Sequence, residues 1–177
     1  YTYLNDIKHI YRLDNRTNRL EVLYQCHKDT IINSVSLDEH GHFWIGNNYG
    51  LFHYNPDEKI QTPISTSLFS EVTSIVCDKQ GKVWIGTNNM LFAWLIKEQK
   101  FVLFGESDGV IQNEYLSKPC LLSSQGNIYM GGVKGLLHIN STLPLITTEI
   151  PQLQLSDVII NGESVNDKLN NNPTSIS

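Results

Sequence analysis

The sequence predicts an all-β protein made of repeated four-stranded units, and three observations support this prediction. The first is residue choice, because Ala93 is the single alanine among 177 residues, whereas the β-branched and aromatic residues of half-buried strands are plentiful. The second is an internal repeat with a period of 40 residues. The third is the apolar alternation inside each copy of that repeat. We therefore expect almost no helix.

The repeat is clearest between residues 31–55 and 71–95, which align without gaps. A weaker third copy follows at 123–140, where Ser123 replaces the aspartate and Tyr129 replaces the tryptophan. Upstream, residues 9–23 match only the second half of a unit, so we expect the chain to begin within a repeat. The matched pairs of the two clear copies include Asp38/Asp78, Gly41/Gly81, Trp44/Trp84, Ile45/Ile85, Gly46/Gly86 and Leu51/Leu91.

Each unit consists of an apolar run, a DxxG turn, a WIG segment and two further short runs separated by turns. A period of about 40 to 45 residues with four strands per unit is typical of a β-propeller blade. Trp44 and Trp84 point opposite to their strand neighbours, so both faces are apolar and we expect both indoles to be buried between blades. The predicted strands are 31–37, 42–46, 51–55, 72–77, 82–86, 91–96, 100–104, 118–122, 127–131 and 136–140.

Charge and composition exclude several functional classes. Thirteen Lys and Arg oppose eighteen Asp and Glu, for a net charge of -5, and no basic cluster occurs, so we expect no nucleic acid or anionic membrane as a partner. No apolar run approaches the roughly 20 residues of a transmembrane helix. Cys26, Cys77 and Cys120 lack metal-site spacing, and the apolar runs around Cys77 and Cys120 predict small buried side chains.

The recurrent polar residues predict structural rather than catalytic roles. Asp38 and Asp78 recur at the blade period, whereas a catalytic group need occur only once, so we expect no catalytic residue, no cofactor and no metal. His40 and His42 form an HxH pair that could chelate a metal, but without a third ligand nearby a solvated turn is favoured. His53 and His138 share a repeat position, which indicates packing.

The unit (V/I)xx(I/V)xxDxxGxxWIGTxxGL is similar to the two-component regulator propeller repeat of periplasmic sensor regions in hybrid two-component systems, found mainly in Bacteroidetes. Residues 109–140 resemble the final blade of such arrays. Residues 150–165 resemble the opening strand of the Ig-like β-sandwich that follows, with Asn161 and Gly162 at a hairpin turn. The predicted organisation is a partial propeller, 1–149, with a partial blade at 1–25 and blades at about 26–66, 67–108 and 109–149, followed by the beginning of an Ig-like domain at 150–177.

This resemblance implies a ligand-sensing, oligosaccharide-binding periplasmic domain of an inner-membrane hybrid sensor histidine kinase that signals to polysaccharide-utilisation genes. The implied partners are an oligosaccharide, the rest of the same sensor chain and a second copy in a homodimer. This chain would bind rather than catalyse, with the kinase elsewhere in the full-length protein. A protein-interaction scaffold of the WD40 kind is the alternative, although its G-H and W-D signatures are absent. A propeller lyase is a third.

Ligand contact is expected on the loops at one face of the propeller, where turns between second and third strands and blade-to-blade connections emerge. Amides, carboxylates and aromatic rings there suit sugar hydroxyls and ring faces. The competing interpretation is that these are turn residues, with Asn113 and Tyr115 anchoring a blade. The predicted ligand-binding residues are Asn48, Tyr49, Asn89, Asn113, Glu114 and Tyr115.

An arc of three and a half blades would leave apolar sheet exposed at its two ends, because each blade buries its faces only against its neighbours. We therefore expect the chain to be a fragment of a larger sensor ectodomain, and to associate or to be marginally stable when isolated.

Overall fold

The structure, a computed structural model, describes residues 1–64, 66–141, 159–160 and 163–164. Regular structure in this part of the chain is strand, apart from one 3-10 turn at Glu106–Asp108. The chain divides into two compact units, Tyr1–Pro144 and Leu145–Ser177. The all-β prediction is confirmed.

Among the described residues, fourteen strands lie in the first unit and two in the second. In chain order the strands are β1 Thr2–Asn5, β2 His9–Asp14, β3 Arg19–Gln25, β4 Ile32–Leu37, β5 Phe43–Asn47, β6 Gly50–Asn55, β7 Ile60–Ile64, β8 Ser74–Cys77, β9 Lys82–Gly86, β10 Leu91–Leu95, β11 Lys100–Phe104, β12 Tyr115–Leu122, β13 Asn127–Gly132, β14 Gly135–Asn140, β15 Ile159–Ile160 and β16 Glu163–Ser164.

These strands form antiparallel meanders in which neighbours in sequence are neighbours in the sheet. We call β1–β3 the partial blade, β4–β7 the first full blade, β8–β11 the second full blade and β12–β14 the last blade. Consecutive pairing into four-stranded sheets is the blade architecture that the repeat predicts. β15 pairs with β16 in the second unit, and the predicted Asn161 and Gly162 turn lies outside the described residues.

The partial blade differs from its prediction. The sequence match covered only the second half of a unit, yet three strands are present, because β1 pairs with β2 from Thr2 opposite Leu13 to Asn5 opposite Ile10. β1 was missed because its sequence, TYLN, carries no WIG segment. All ten predicted strands are confirmed, with ends within three residues of those observed.

The cores lie between blades. Phe43 and Ile45 pack with Ile10 and Tyr24 of the partial blade. Trp44, the residue between them, packs instead with the second full blade in a cluster that includes Ile75 and Val83. Successive residues of β5 therefore face opposite neighbours, as strand geometry requires. Burial of the two tryptophans is confirmed, since Trp44 is 3% exposed and Trp84 is 2% exposed.

A repeated backbone hydrogen bond sets the blade spacing. Val72 N donates to Asn47 O at 3.0 Å, and Tyr115 N donates to Thr87 O at 3.1 Å, one blade further on. Asn47 and Thr87 occupy the same repeat position, so the bond recurs with the repeat. The serine hydroxyls of β4 add links, because Ser34 Oγ accepts from Ile75 N at 3.0 Å and Ser36 Oγ accepts from Cys77 N at 2.8 Å.

Among the described residues, none belongs to a helix with the length and hydropathy needed to cross a membrane.

Candidate functional site

A cavity of about 410 Å³ opens between the first and second full blades. It lies at the end of the sheets that carries the turns after the first and third strands of each blade, because alternate turns of an antiparallel meander share one end. This is the end opposite the predicted ligand loops. Its polar lining includes Asp38, His40, His42, His53, Lys97 and Gln99, and its apolar lining includes Trp44, Trp94, Ile64 and Ile96.

Two aspartates form the turns at the cavity rim. Asp38 Oδ1 accepts from His40 N and His42 N, both at 2.9 Å. Asp78 Oδ1 accepts from Gln80 N at 2.8 Å and from Lys82 N at 3.0 Å. The turns also need a left-handed backbone at their glycines, which have φ of 80° at both Gly41 and Gly81. The predicted turn role of both aspartates is confirmed.

In the second full blade the other carboxylate oxygen is also occupied. Asp78 Oδ2 accepts from Trp84 Nε1 at 3.0 Å and lies 3.6 Å from Lys82 Nζ. Lys82 Nζ in turn donates to Gln80 Oε1 at 2.9 Å and to Ser141 O at 2.8 Å. The Asp78 side chain is fully enclosed, so this carboxylate is buried with its charge compensated.

In the first full blade two histidines occupy the corresponding space. His42 stands where the second full blade has Lys82, and His53 stands where it has Ala93. His53 Nε2 lies 3.3 Å from Asp38 Oδ2, and the rings of His42 and His53 have centroids 5.2 Å apart. One ligand atom from each of Asp38, His42 and His53 lies within 4.8 Å of the other two.

This cluster corrects the interpretation of the HxH pair. The sequence suggested no third ligand near His40 and His42, but β6 supplies His53 directly opposite Trp44 of β5. Because residues two apart on a strand share a face, His42 and Trp44 point to the same side as His53. His40 is exposed and lies outside the cluster. Only the β5–β6 register could have revealed the arrangement.

The predicted ligand residues at the opposite end fall into two groups. Asn48 holds the connection from the partial blade, since its Oδ1 accepts from Ile31 N at 2.7 Å and its Nδ2 donates to Asp29 O at 3.1 Å. Tyr49 is 61% exposed, and Asn89 and Glu114 are also exposed. The side chains of Tyr49, Asn89 and Glu114 therefore remain accessible to a ligand.

The other two predicted ligand residues lie inside the packing. Asn113 is buried, its Oδ1 accepts from Lys134 N at 2.9 Å, and its amide lies against Gly132. Tyr115 is 2% exposed with its ring against Gly86. Burial raises the pKa of the Tyr115 hydroxyl. The structure thus gives both residues the blade-anchoring position that the sequence left as the alternative.

Comparison with known families identifies the repeat. Residues 67–89, which include all of β8 and β9, match the family model described as two component regulator propeller. This segment is similar to the two-component regulator propeller. No curated protein matches the sequence.

Solved structures similar to this repeat protein share its fold. They include the extracellular domain of a hybrid two-component system from B. thetaiotaomicron, with 20% identity, a TM-score of 0.55 and coverage of 80% of this chain and 20% of that chain. PorZ, a type-IX secretion surface component of Porphyromonas gingivalis, has 19% identity, a TM-score of 0.56 and coverage of 76% and 22%. A chain of the mitotic checkpoint complex has 12% identity and a TM-score of 0.57, with coverage of 77% and 42%.

These likenesses support a propeller fold for this chain. The chain spans about a fifth of the length of the two bacterial structures, since it covers 20% and 22% of them.

Within the matched repeat, Trp84 Nε1 is hydrogen-bonded, whereas the equivalent Trp44 Nε1 in the preceding repeat is buried without a hydrogen-bond partner among the described residues. The difference follows from the carboxylates, because Asp78 Oδ2 is near its tryptophan and Asp38 Oδ2 is near His53. A buried N–H without an acceptor costs about 1 to 3 kcal/mol. The Trp44 N–H therefore contributes less to stability than the hydrogen-bonded Trp84 N–H.

Cys77 of the same repeat lies on the cavity wall and is 6% exposed. Burial, together with the neighbouring carboxylates of Asp38 and Asp78, raises the pKa of its thiol to about 12. Burial also raises the pKa of Cys120. Cys77 is the small buried group that the sequence predicts, whereas Cys120 is only partly buried. Cys77 is unsuited to nucleophilic chemistry.

Proposed function

We propose that this chain is the ligand-sensing part of the periplasmic region of a hybrid two-component sensor, and that its ligand is an oligosaccharide. The observation that carries this proposal is the two-component regulator propeller match at residues 67–89. The likeness of the fold to the extracellular domain of a hybrid two-component system supports it. In this proposal the domain binds, and a histidine kinase elsewhere in the same inner-membrane protein signals to polysaccharide-utilisation genes.

The cavity between the full blades has the chemistry that an oligosaccharide requires. Trp94 is partly exposed there and packs against Phe101 in a tilted arrangement, with ring centroids 4.6 Å apart. Ile64 and Ile96 extend the apolar wall. Sugar rings bury their C–H faces on such surfaces, and sugar hydroxyls both donate and accept hydrogen bonds. We therefore propose the cavity, rather than the Tyr49 loop, as the ligand site.

Polar groups at the cavity rim complete the site. Lys97 and Gln99 come from the turn between β10 and β11, and His40 comes from the turn between β4 and β5. Each can donate to a hydroxyl oxygen, while Glu39 accepts from a hydroxyl. Because the two rims belong to adjacent blades, a bound sugar would contact both and hold their spacing. In this proposal, ligand binding fixes the distance between the two blades, and this distance is the signal that reaches the rest of the sensor.

Calorimetric titration of the 177-residue chain against plant and host polysaccharide fragments, chosen from a glycan array, tests the proposal. We expect Trp94→Ala to weaken binding of the selected glycan by at least about tenfold, equivalent to about 1.4 kcal/mol. Tyr49→Ala is the matched control, since it removes an exposed aromatic ring at the opposite end, and its affinity should equal that of the parent chain.

The outcomes separate the alternatives. Loss of binding in Tyr49→Ala with full binding in Trp94→Ala would move the site to the loops that the sequence indicated. Failure of every glycan to bind, alongside capture of a defined protein partner by the same chain, would favour the scaffold alternative and reject the oligosaccharide.

A further inference from the structure

We propose that Asp38, His42 and His53 form a binding site for a divalent transition-metal ion, with Zn²⁺ as the representative ion. This inference concerns the chain itself and stands whether or not the oligosaccharide proposal holds. It starts from the convergence of three ligand atoms, one from each residue, within 4.8 Å of one another.

The distances suit a metal better than a direct hydrogen bond. Asp38 Oδ2 and His53 Nε2 are 3.3 Å apart, which is long for a charge-assisted hydrogen bond. Two ligand atoms bonded at about 2.1 Å to a tetrahedral zinc ion lie about 3.4 Å apart. The observed separation therefore leaves room for an ion that touches both atoms.

The Asp38 carboxylate is held in place by its turn. Asp38 Oδ1 is occupied by the backbone N–H groups of His40 and His42, which fixes the side chain in the turn. The other oxygen, Oδ2, lies 3.3 Å from His53 Nε2. Such hydrogen bonding to the second oxygen of a ligating carboxylate orients it and is a recurrent feature of metal sites.

The histidines are held by the sheet. His53 lies on β6 opposite Trp44, and its ring packs on the indole with centroids 4.5 Å apart. The Asp38 side chain is 8% exposed and the His53 side chain is 27% exposed, so ordering these groups for a metal costs little further entropy. Ligands fixed before the ion arrives favour tight binding.

The second full blade provides an internal comparison. There Lys82 brings an ammonium group to 3.6 Å from Asp78 Oδ2. In the first full blade His42 replaces that lysine, and no lysine or arginine of the described residues forms an ion pair with Asp38. A partly buried carboxylate requires a compensating positive charge. A bound metal ion supplies at Asp38 the charge that Lys82 supplies at Asp78.

The surroundings of Trp44 agree with this position of Asp38 Oδ2. Its Nε1 is buried without an acceptor among the described residues, although the aspartate that satisfies Trp84 has an exact counterpart in Asp38. Asp38 Oδ2 lies instead beside His53. The carboxylate oxygen that would satisfy the indole N–H lies instead next to the His53 imidazole, as ligation of one metal ion by both side chains requires.

Two histidines and one carboxylate form a donor set that Zn²⁺ accepts with further positions open. All three ligands line the cavity, so these open positions face it and are available to water or to an oxygen atom of a ligand. The site would therefore be a metal centre exposed to the cavity, and not a closed structural zinc.

Metal titration of the complete 177-residue chain tests the proposal, with no histidine tag and after stripping with a chelator. We expect one equivalent of Zn²⁺ to bind with about micromolar affinity, a rise in melting temperature with zinc, and a visible absorption band when Co²⁺ replaces it. His53→Gln should weaken zinc binding at least about tenfold.

Two further variants make the test decisive. His42→Lys copies the second full blade, so it should keep or raise the melting temperature of the metal-free chain and abolish the zinc-induced shift. His40→Ala removes an exposed neighbouring imidazole and should leave zinc affinity unchanged. Equal affinity of the parent chain, His53→Gln and His42→Lys would overturn the site, as would loss of binding in His40→Ala alone. These readouts use metal only, so their failure is separable from failure of glycan binding.

Discussion

The first and second full blades have matching backbones and different chemistry at one end. Each has an aspartate whose Oδ1 accepts two backbone N–H groups of a turn, and each has a buried tryptophan six residues later. In the second full blade Oδ2 is bound by Trp84 and Lys82. In the first it lies beside His53. In both blades Oδ1 therefore holds the turn, whereas the partners of Oδ2 differ between the blades.

The two aspartates therefore differ in how completely their surroundings are hydrogen-bonded. Around Asp78, both carboxylate oxygens, the Lys82 ammonium and the Trp84 N–H all have partners. The Asp38 cluster is open to the cavity and includes an unsatisfied Trp44 Nε1. Functional sites commonly give up local stability in this way. The three predictions that follow test the contrast between the blades, beginning with the largest effect.

Asp78→Ala should destabilise the chain by about 3 to 5 kcal/mol, because it leaves the Lys82 ammonium and the Trp84 N–H without their buried acceptor. Asp38→Ala should cost only about 1 to 2 kcal/mol, the loss of its turn hydrogen bonds. Urea unfolding followed by tryptophan fluorescence measures both, since all three tryptophans lie in the first unit. Equal losses from the two substitutions would show that the blades are energetically equivalent.

Trp84→Phe should lower the free energy of unfolding by about 2 to 3 kcal/mol, because a hydrogen bond to a buried carboxylate is lost. Trp44→Phe should change it by less than about 1 kcal/mol, since the packing volume removed is offset by deletion of an unsatisfied donor. The two variants are matched in chemistry and in burial. A Trp44→Phe loss as large as that of Trp84→Phe would mean that Trp44 Nε1 has an acceptor in solution, such as an ordered water.

Much of the fold could be predicted from the sequence, because blade periodicity depends on local patterns. Strand alternation predicts that Phe43 and Trp44 face opposite sides of the sheet. Glycine placement predicts the DxxG turns. The site could not be predicted in the same way. His53 joins Asp38 only through the register of β5 with β6, and the burial of Tyr115 depends on contact with Gly86 of another blade. Both are long-range pairings that no short motif records.

The smallest expected effect concerns Cys77, which lies at the boundary between the two blades. Its thiol pKa of about 12, raised by burial and by the carboxylates of Asp38 and Asp78, means that roughly one molecule in ten thousand carries a thiolate at pH 8. Alkylation of the native chain by iodoacetamide should therefore be very slow at this residue and should accelerate about tenfold per pH unit.

Asp38→Asn removes one charge that raises this pKa, so it should increase the Cys77 rate slightly, as measured by mass spectrometry of the Cys77 peptide. A rate at Cys77 comparable with that of a free thiol at pH 8 would contradict the buried position. An unchanged rate in Asp38→Asn would show that the Asp38 charge does not contribute to the raised pKa.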